Sequence, residues 1–147
     1  MASSSLARLA HVTDALLPQP ADAAEEAAPA TVDERILIPT RDEGVRLSCL
    51  LSKPSTGGAG PWPCLLTMHY GGDHPAQGRA DMALAGFVVA DVVFRGCYHS
   101  EGMADGGIYV TLANDGFDVC EWLAAQEWCD GQVGSFGGSQ GGFAQNL

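Results

Sequence analysis

Apolar residues occur along this chain in short runs that glycine and proline interrupt. The runs are four to eight residues long, the length of a β-strand, and none approaches the roughly 20 apolar residues that a transmembrane helix needs. The first two runs flank a polar turn at residues 41–44 that ends in glycine, which predicts a β-hairpin. The pattern predicts five strands in all, at residues 35–38, 45–52, 63–69, 87–94 and 132–136.

Two longer segments have helical spacing. Residues 75–85 can form a helix that Gly86 stops. Residues 109–127 place apolar side chains such as Val119 and Leu123 on one face and acidic side chains on the other, as in an amphipathic helix. Strands and helices alternate from the third strand onward. The predicted fold class is therefore α/β, a hairpin followed by parallel strands that crossover helices connect.

The first thirty residues differ from the rest in composition. They are rich in alanine, serine and proline, with acidic residues between the prolines, which is typical of a solvated linker. We therefore expect residues 1–31 to be a disordered or linker tail and residues 32–147 to belong to one α/β domain. Residues 1–13 contain serine and Arg8 but no acid, so a transit peptide is the alternative reading of the tail.

The charge balance excludes several classes of partner. The chain has seven lysine and arginine residues and 18 aspartate and glutamate residues, for a formal net charge of −11. This excess of acid argues against nucleic-acid binding and against an anionic membrane surface, because both rest on basic side chains. The five cysteines include no C-x-x-C pair. That argues against a disulfide framework or a zinc site and favours a reducing, cytoplasmic location.

The last predicted strand runs directly into residues 137–141, Gly-Gly-Ser-Gln-Gly, which fit the G-x-S-x-G pattern of a nucleophile elbow. In such an elbow the serine sits on a strained turn, and we expect glycine to be needed two residues before and two residues after it. The turn exposes the hydroxyl and points the next N–H at a developing oxyanion. A phosphate-binding loop is the alternative, but neither G-x-x-x-x-G-K nor a G-x-G-x-x-G turn with a downstream acid is present.

Residues 122–142 resemble the α/β-hydrolase family that includes cocaine esterase, X-Pro dipeptidyl-peptidase and the α-amino-acid ester hydrolases or acylases. They read WLAAQEWCDGQVGSFGGSQGG, and three shorter segments match family motifs in the same order. The likeness extends from residue 32 to the end. The three segments are residues 38–47 in the hairpin, residues 63–71, which are the third strand and the start of the loop after it, and residues 95–102, which fit R-G-x-x-x-S-E-G.

The resemblance implies a serine hydrolase that cleaves ester or amide bonds, acyl or X-Pro dipeptidyl, through an acyl-enzyme. Ser139 matches the nucleophile, and the backbone N–H of Gln140 matches one half of the oxyanion hole. Tyr70 matches the tyrosine whose hydroxyl is the other half. The resemblance implies no metal and no organic cofactor. The expected partner is a small acyl ester, amide or peptide substrate.

The triad of this family runs serine, aspartate, histidine, and only six residues follow Gly141. We therefore expect an N-terminal portion of a hydrolase domain that is inactive by itself, with an uncovered outer edge on its last strand. The alternatives are a non-catalytic half-domain that serves as an interaction module, and a non-functional truncated product. His69, where the family has proline, is a candidate substitute base. His69 and His74 make a poor metal pair because a third ligand is missing.

Overall fold

The computed structural model describes residues 31–56, 58–72, 78–107 and 109–146. The predicted succession of strands and helices is confirmed, although the limits of the elements shift by a few residues. The predicted tail and residues 75–77 of the first predicted helix lie outside the described residues, apart from Thr31, which opens the first strand. The elements are β1 (Thr31–Pro39), β2 (Arg46–Pro54), β3 (Trp62–His69), α1 (Arg79–Leu84), β4 (Val88–Val93), α2 (Leu112–Ala124), β5 (Cys129–Ser135) and α3 (Gln140–Ala144).

The five strands form one mixed sheet in the order β1-β2-β4-β3-β5. The predicted hairpin is present, since β1 and β2 pair in antiparallel register with Ile36 opposite Cys49. β4 lies antiparallel to β2 and parallel to β3, and β3 is parallel to β5. The α1 crossover therefore carries the chain from β3 to a position between β3 and the hairpin.

The centre of the sheet is the most deeply buried part of the molecule. Every residue of β4 is buried, as its nearly continuous apolar sequence predicts. Side chains at alternate positions of β4, at Val88, Ala90 and Val92, belong to the main core together with apolar side chains of α2. Asp91 does not belong to that core cluster, because successive side chains of a strand point to opposite faces of the sheet.

β5 lies at the edge of the sheet and pairs only with β3 among the described strands. Cys129 is its one buried residue, and most of the strand is exposed. The expectation of an uncovered outer edge is thus confirmed for the described residues. Within this part of the chain, none of the helices has both the length and the apolar character that crossing a bilayer requires.

Candidate active site

The chain turns sharply from β5 into α3 at Ser139. Ser139 has φ 52° and ψ −117°, a combination that L-residues with side chains adopt only when the surrounding structure enforces it. Its side chain is exposed. A strained, exposed serine therefore stands between a strand and a helix, in the local geometry that the motif predicted.

The glycines on the two sides of Ser139 are not equivalent. Gly137 has φ 150°, and a Cβ on it would lie 3.1 Å from both Cα and the carbonyl carbon of Gly141. A Cβ on Gly141 would lie 3.5 Å from the carbonyl oxygen of Met68, an ordinary van der Waals contact. The predicted need for glycine is thus confirmed at Gly137, whereas Gly141 has room for a methyl group.

The two predicted halves of the oxyanion hole lie on neighbouring segments. Gln140 is the first residue of α3, so its N–H has no acceptor within that helix. The side-chain amide nitrogen of Gln140 would be 3.4 Å from a Cβ placed on Gly71. The start of α3 therefore packs against the turn after β3, which carries Tyr70. The structure brings the segments of Tyr70, Ser139 and Gln140 together.

A row of aromatic rings, which the sequence reasoning missed, connects Tyr70 to the helix that follows Ser139. The ring centroid of Phe94 lies 6.1 Å from that of Tyr70 and 6.3 Å from that of Tyr109. Tyr109 lies 4.8 Å from Phe143, whose backbone N–H donates to the carbonyl of Ser139 at 2.9 Å. Phe94 is buried and Tyr70 is 44% exposed. The buried ring thus supports the exposed tyrosine from below.

His69 is the last residue of β3 and has protein partners at both ring nitrogens. Its Nε2 lies 2.5 Å from Oδ1 of Asp91, and its Nδ1 accepts a hydrogen bond from the N–H of Gly71 at 3.2 Å. Neither nitrogen is left to take a proton from Ser139 or to bind a metal ion. His74, the second residue of the suggested metal pair, lies outside the described residues.

The segment that matches R-G-x-x-x-S-E-G anchors its own loop to the sheet. The Oγ of Ser100 donates to the carbonyl of Val93 at 2.7 Å and accepts from the N–H of Ser48 at 2.9 Å. Glu101 pairs with Arg46 through two side-chain hydrogen bonds of 2.6 and 2.9 Å. These contacts make the serine and the glutamate of this motif structural residues.

Arg95, the first residue of the same motif, forms a buried ion pair that the sequence reasoning did not foresee. Its guanidinium donates to Asp115 of α2 at 2.5 and 3.1 Å and to Asp42 of the hairpin turn at 2.5 Å. The hydrogen bond to Asp115 is the main reason that the pKa of Arg95 is raised above its ordinary value. Asp115 stands on the predicted polar face of the helix, yet it is buried.

A cavity of about 330 Å³ lies between the sheet and the two helices that flank β5. Its walls are mostly apolar and include Met68, Phe117 and Phe136. Among the residues predicted for catalysis, neither Ser139 nor Tyr70 nor Gln140 lines it. The cavity therefore reaches the elbow at Gly141 but is not lined by the predicted catalytic residues.

Comparison with known proteins identifies the family of the chain. Residues 43–147 match the model of the X-Pro dipeptidyl-peptidase (S15) family. Over 122 residues the chain is 31% identical to cocaine esterase of Rhodococcus sp. (strain MB1 Bresler). The match covers 78% of this chain and 20% of the esterase.

Solved structures show the same fold. An aminopeptidase from the marine sediment archaeon Thaumarchaeota archaeon has a TM-score of 0.64 at 22% identity, over 89% of this chain and 25% of that one. A CocE/NonD family hydrolase from Staphylococcus aureus has a TM-score of 0.64 at 21% identity, over 78% of this chain and 24% of the hydrolase. The chain thus spans a quarter or less of the length of these relatives. With the match over residues 43–147, the chain belongs to the X-Pro dipeptidyl-peptidase (S15) family of hydrolases.

Proposed function

We propose that this chain carries the nucleophile and the oxyanion hole of a serine hydrolase that cleaves ester or amide bonds. The observation that carries the proposal is the strained turn at Ser139, with φ 52°, inside the segment that matches the hydrolase family. A positive φ on an exposed serine is a conformational cost that a merely structural turn would avoid by using glycine.

In the proposed reaction Oγ of Ser139 attacks the carbonyl carbon of the substrate, and the carbonyl oxygen becomes an oxyanion. The N–H of Gln140 and the hydroxyl of Tyr70 donate hydrogen bonds to that oxyanion. Collapse of the intermediate expels the alcohol or amine and leaves the acyl group on Ser139. Water then hydrolyses the acyl-enzyme and restores the serine.

The proton of Ser139 needs a general base, and among the described residues His69, the candidate beside Tyr70, does not supply one. Both nitrogens of His69 are engaged by Asp91 and Gly71. We therefore propose that the acid and the base come from the part of the hydrolase domain that follows the elbow in the family, and that the chain alone is inactive. The substrate is proposed to be a small acyl ester, amide or peptide.

Co-expression tests this proposal. The chain is produced together with the part of a family hydrolase that follows the serine elbow, and hydrolysis of p-nitrophenyl acetate is measured. We expect activity that disappears with Ser139→Ala and falls roughly 10²–10³-fold in kcat with Tyr70→Phe, the usual cost of one oxyanion donor. Activity that survives Ser139→Ala would overturn the proposal. If Tyr70→Phe alone is silent, the oxyanion assignment fails while the nucleophile stands.

A second candidate function is supported by the open edge of β5. An exposed strand edge presents unpaired backbone groups to another chain, so the half-domain could act as an interaction module without catalysis. In that case Ser139→Ala would leave binding of the co-expressed partner unchanged, and the pair would show no hydrolase activity.

A cytoplasmic location is proposed as well, supported by the five free cysteines.

A further inference from the structure

The side chain of His69 holds the turn that follows it. The N–H of Gly71 donates to Nδ1 of His69 at 3.2 Å, so this contact closes a small ring around the backbone of Tyr70. The carbonyl of His69 accepts a hydrogen bond from the N–H of Phe94 at 2.8 Å. The backbone on both sides of Tyr70 is therefore fixed by hydrogen bonds.

A buried carboxylate orients the imidazole. Oδ1 of Asp91 lies 2.5 Å from Nε2 of His69, and the two side chains are 4% and 18% exposed. Because Nδ1 accepts from Gly71, the ring proton of the neutral imidazole must be on Nε2, which donates to Asp91. Within the described part of the chain, Oδ2 of Asp91 has no hydrogen-bond partner. Among the described residues, His69 is thus the side-chain partner of this carboxylate, through Oδ1.

The contacts continue to the nucleophile elbow. Gly71 lies against the side chain of Gln140, whose amide nitrogen would be 3.4 Å from a Cβ on that glycine. A chain of contacts consequently leads from Asp91 in the centre of the sheet, through His69 and the turn, to the residue after Ser139.

We propose that Asp91 and His69 are a positioning pair for the oxyanion hole. Asp91 selects the Nε2–H tautomer of His69, and Nδ1 of that ring holds the turn that presents Tyr70. Neither residue touches the reacting atoms. The catalytic meaning of the pair rests on the proposed role of Tyr70, whereas the tautomer and the turn are properties of the chain itself.

Two variants separate the hydrogen bonds of His69 in the full 147-residue chain. In His69→Asn, the amide oxygen takes the place of Nδ1 and can still accept from Gly71, but the side chain is too short to reach Asp91. In His69→Gln, the amide nitrogen takes the place of Nε2 and can still donate to Asp91, but no acceptor faces Gly71. The readouts are hydrogen exchange of the Gly71 amide and the nitrogen chemical shifts of the imidazole.

We expect the wild-type spectrum to show the proton on Nε2. We also expect His69→Gln to speed exchange of the Gly71 amide about tenfold, the equivalent of one ordinary hydrogen bond, while His69→Asn keeps it within about twofold of wild type. A proton on Nδ1, or equal acceleration in both variants, would overturn the proposal. If a variant fails to fold, which rapid exchange of the β4 amides would reveal, the wild-type tautomer decides alone.

These readouts do not depend on turnover. A wrong tautomer overturns the positioning pair and leaves hydrolysis by Ser139 untouched. Hydrolysis that survives Ser139→Ala, with the Nε2–H tautomer in place, overturns the proposed function and leaves the contact between His69 and Asp91 as it is.

Discussion

Gly137 and Gly141 meet backbone to backbone beneath Ser139, so closely that a Cβ on Gly137 would lie 3.1 Å from Cα of Gly141. This approach lets α3 start directly at the end of β5. Real Cβ atoms are rarely found at such short distances. The turn therefore requires glycine mainly at Gly137, two residues before the serine.

Gly137→Ala is expected to destabilise the fold by about 2–3 kcal/mol, because it combines a close contact with an unfavourable φ. Gly138→Ala is the matched control, since nothing lies within 4 Å of a Cβ there. Urea denaturation followed by tryptophan fluorescence measures both. Equal midpoints for the two variants would contradict the packing described for the elbow.

The buried pair of Arg95 and Asp115 predicts a second large effect. Their side chains are 9% and 2% exposed, so Arg95→Met leaves a buried carboxylate without its cation and should cost roughly 3–5 kcal/mol. Arg46→Met is the control, because Arg46 is 52% exposed and solvent screens its pair with Glu101, so the loss should be much smaller. The same denaturation experiment compares them. A similar loss in both would show that burial does not set the strength of the Arg95 pair.

The strands could be predicted from apolar runs, but their limits could not. β1 begins at Thr31, four residues before the apolar run, because residues 31–34 pair with residues 51–54 of β2 through the backbone, which does not require apolar side chains. β5 begins at Cys129 rather than at residue 132 because its first residue pairs with Trp62. The position of β4 between β2 and β3 depends on long-range pairing, which a local pattern does not contain.

In the candidate site, too, the local feature could be predicted from the sequence and the long-range contact could not. The turn at Ser139 was predictable because the motif is local and its strain has a sequence signature. The role of Asp91 was visible only as a lone carboxylate in an apolar strand, which must find a partner when it is buried. That partner is His69, and the parallel register, with His69 opposite Val93 and Thr67 opposite Asp91, brings the two together.

Acid should weaken the fold at carboxylates whose pKa an arginine lowers, Asp118 and Glu101 among them. The hydrogen bond from Arg41 holds the pKa of Asp118 below its ordinary value, and Arg46 does the same for Glu101. A carboxylate with a lowered pKa in the folded state stabilises that state above its unfolded pKa of about 4, and the benefit is lost as the pH falls further.

Asp118→Asn should therefore lower the Tm at pH 7 and flatten the decline of the Tm below about pH 4. Melts at pH 3 to 7 check this, with Asp105→Asn as the control at an exposed aspartate. If the Tm of Asp118→Asn declines below about pH 4 as steeply as the Tm of the wild type, Asp118 does not contribute to the acid sensitivity of the fold.

The chain alone should hydrolyse p-nitrophenyl acetate no faster than its Ser139→Ala variant. In triad enzymes the loss of the base alone costs on the order of 10⁶ in kcat, and both nitrogens of His69 have other partners. Initial rates of the two purified chains decide the point. A clear loss of turnover in Ser139→Ala would mean that a base lies within this chain, and would point to His69.

Ser139 as the nucleophile is tested most directly by locating a covalent adduct. The co-expressed pair is treated with a fluorophosphonate, which reacts with activated serines, and digested for peptide mass spectrometry. We predict an adduct on Ser139 that Ser139→Ala removes and that Ser135→Ala, a change at the neighbouring exposed serine, retains. An adduct on another residue of this chain, or labelling of this chain that persists in Ser139→Ala, would contradict the assignment.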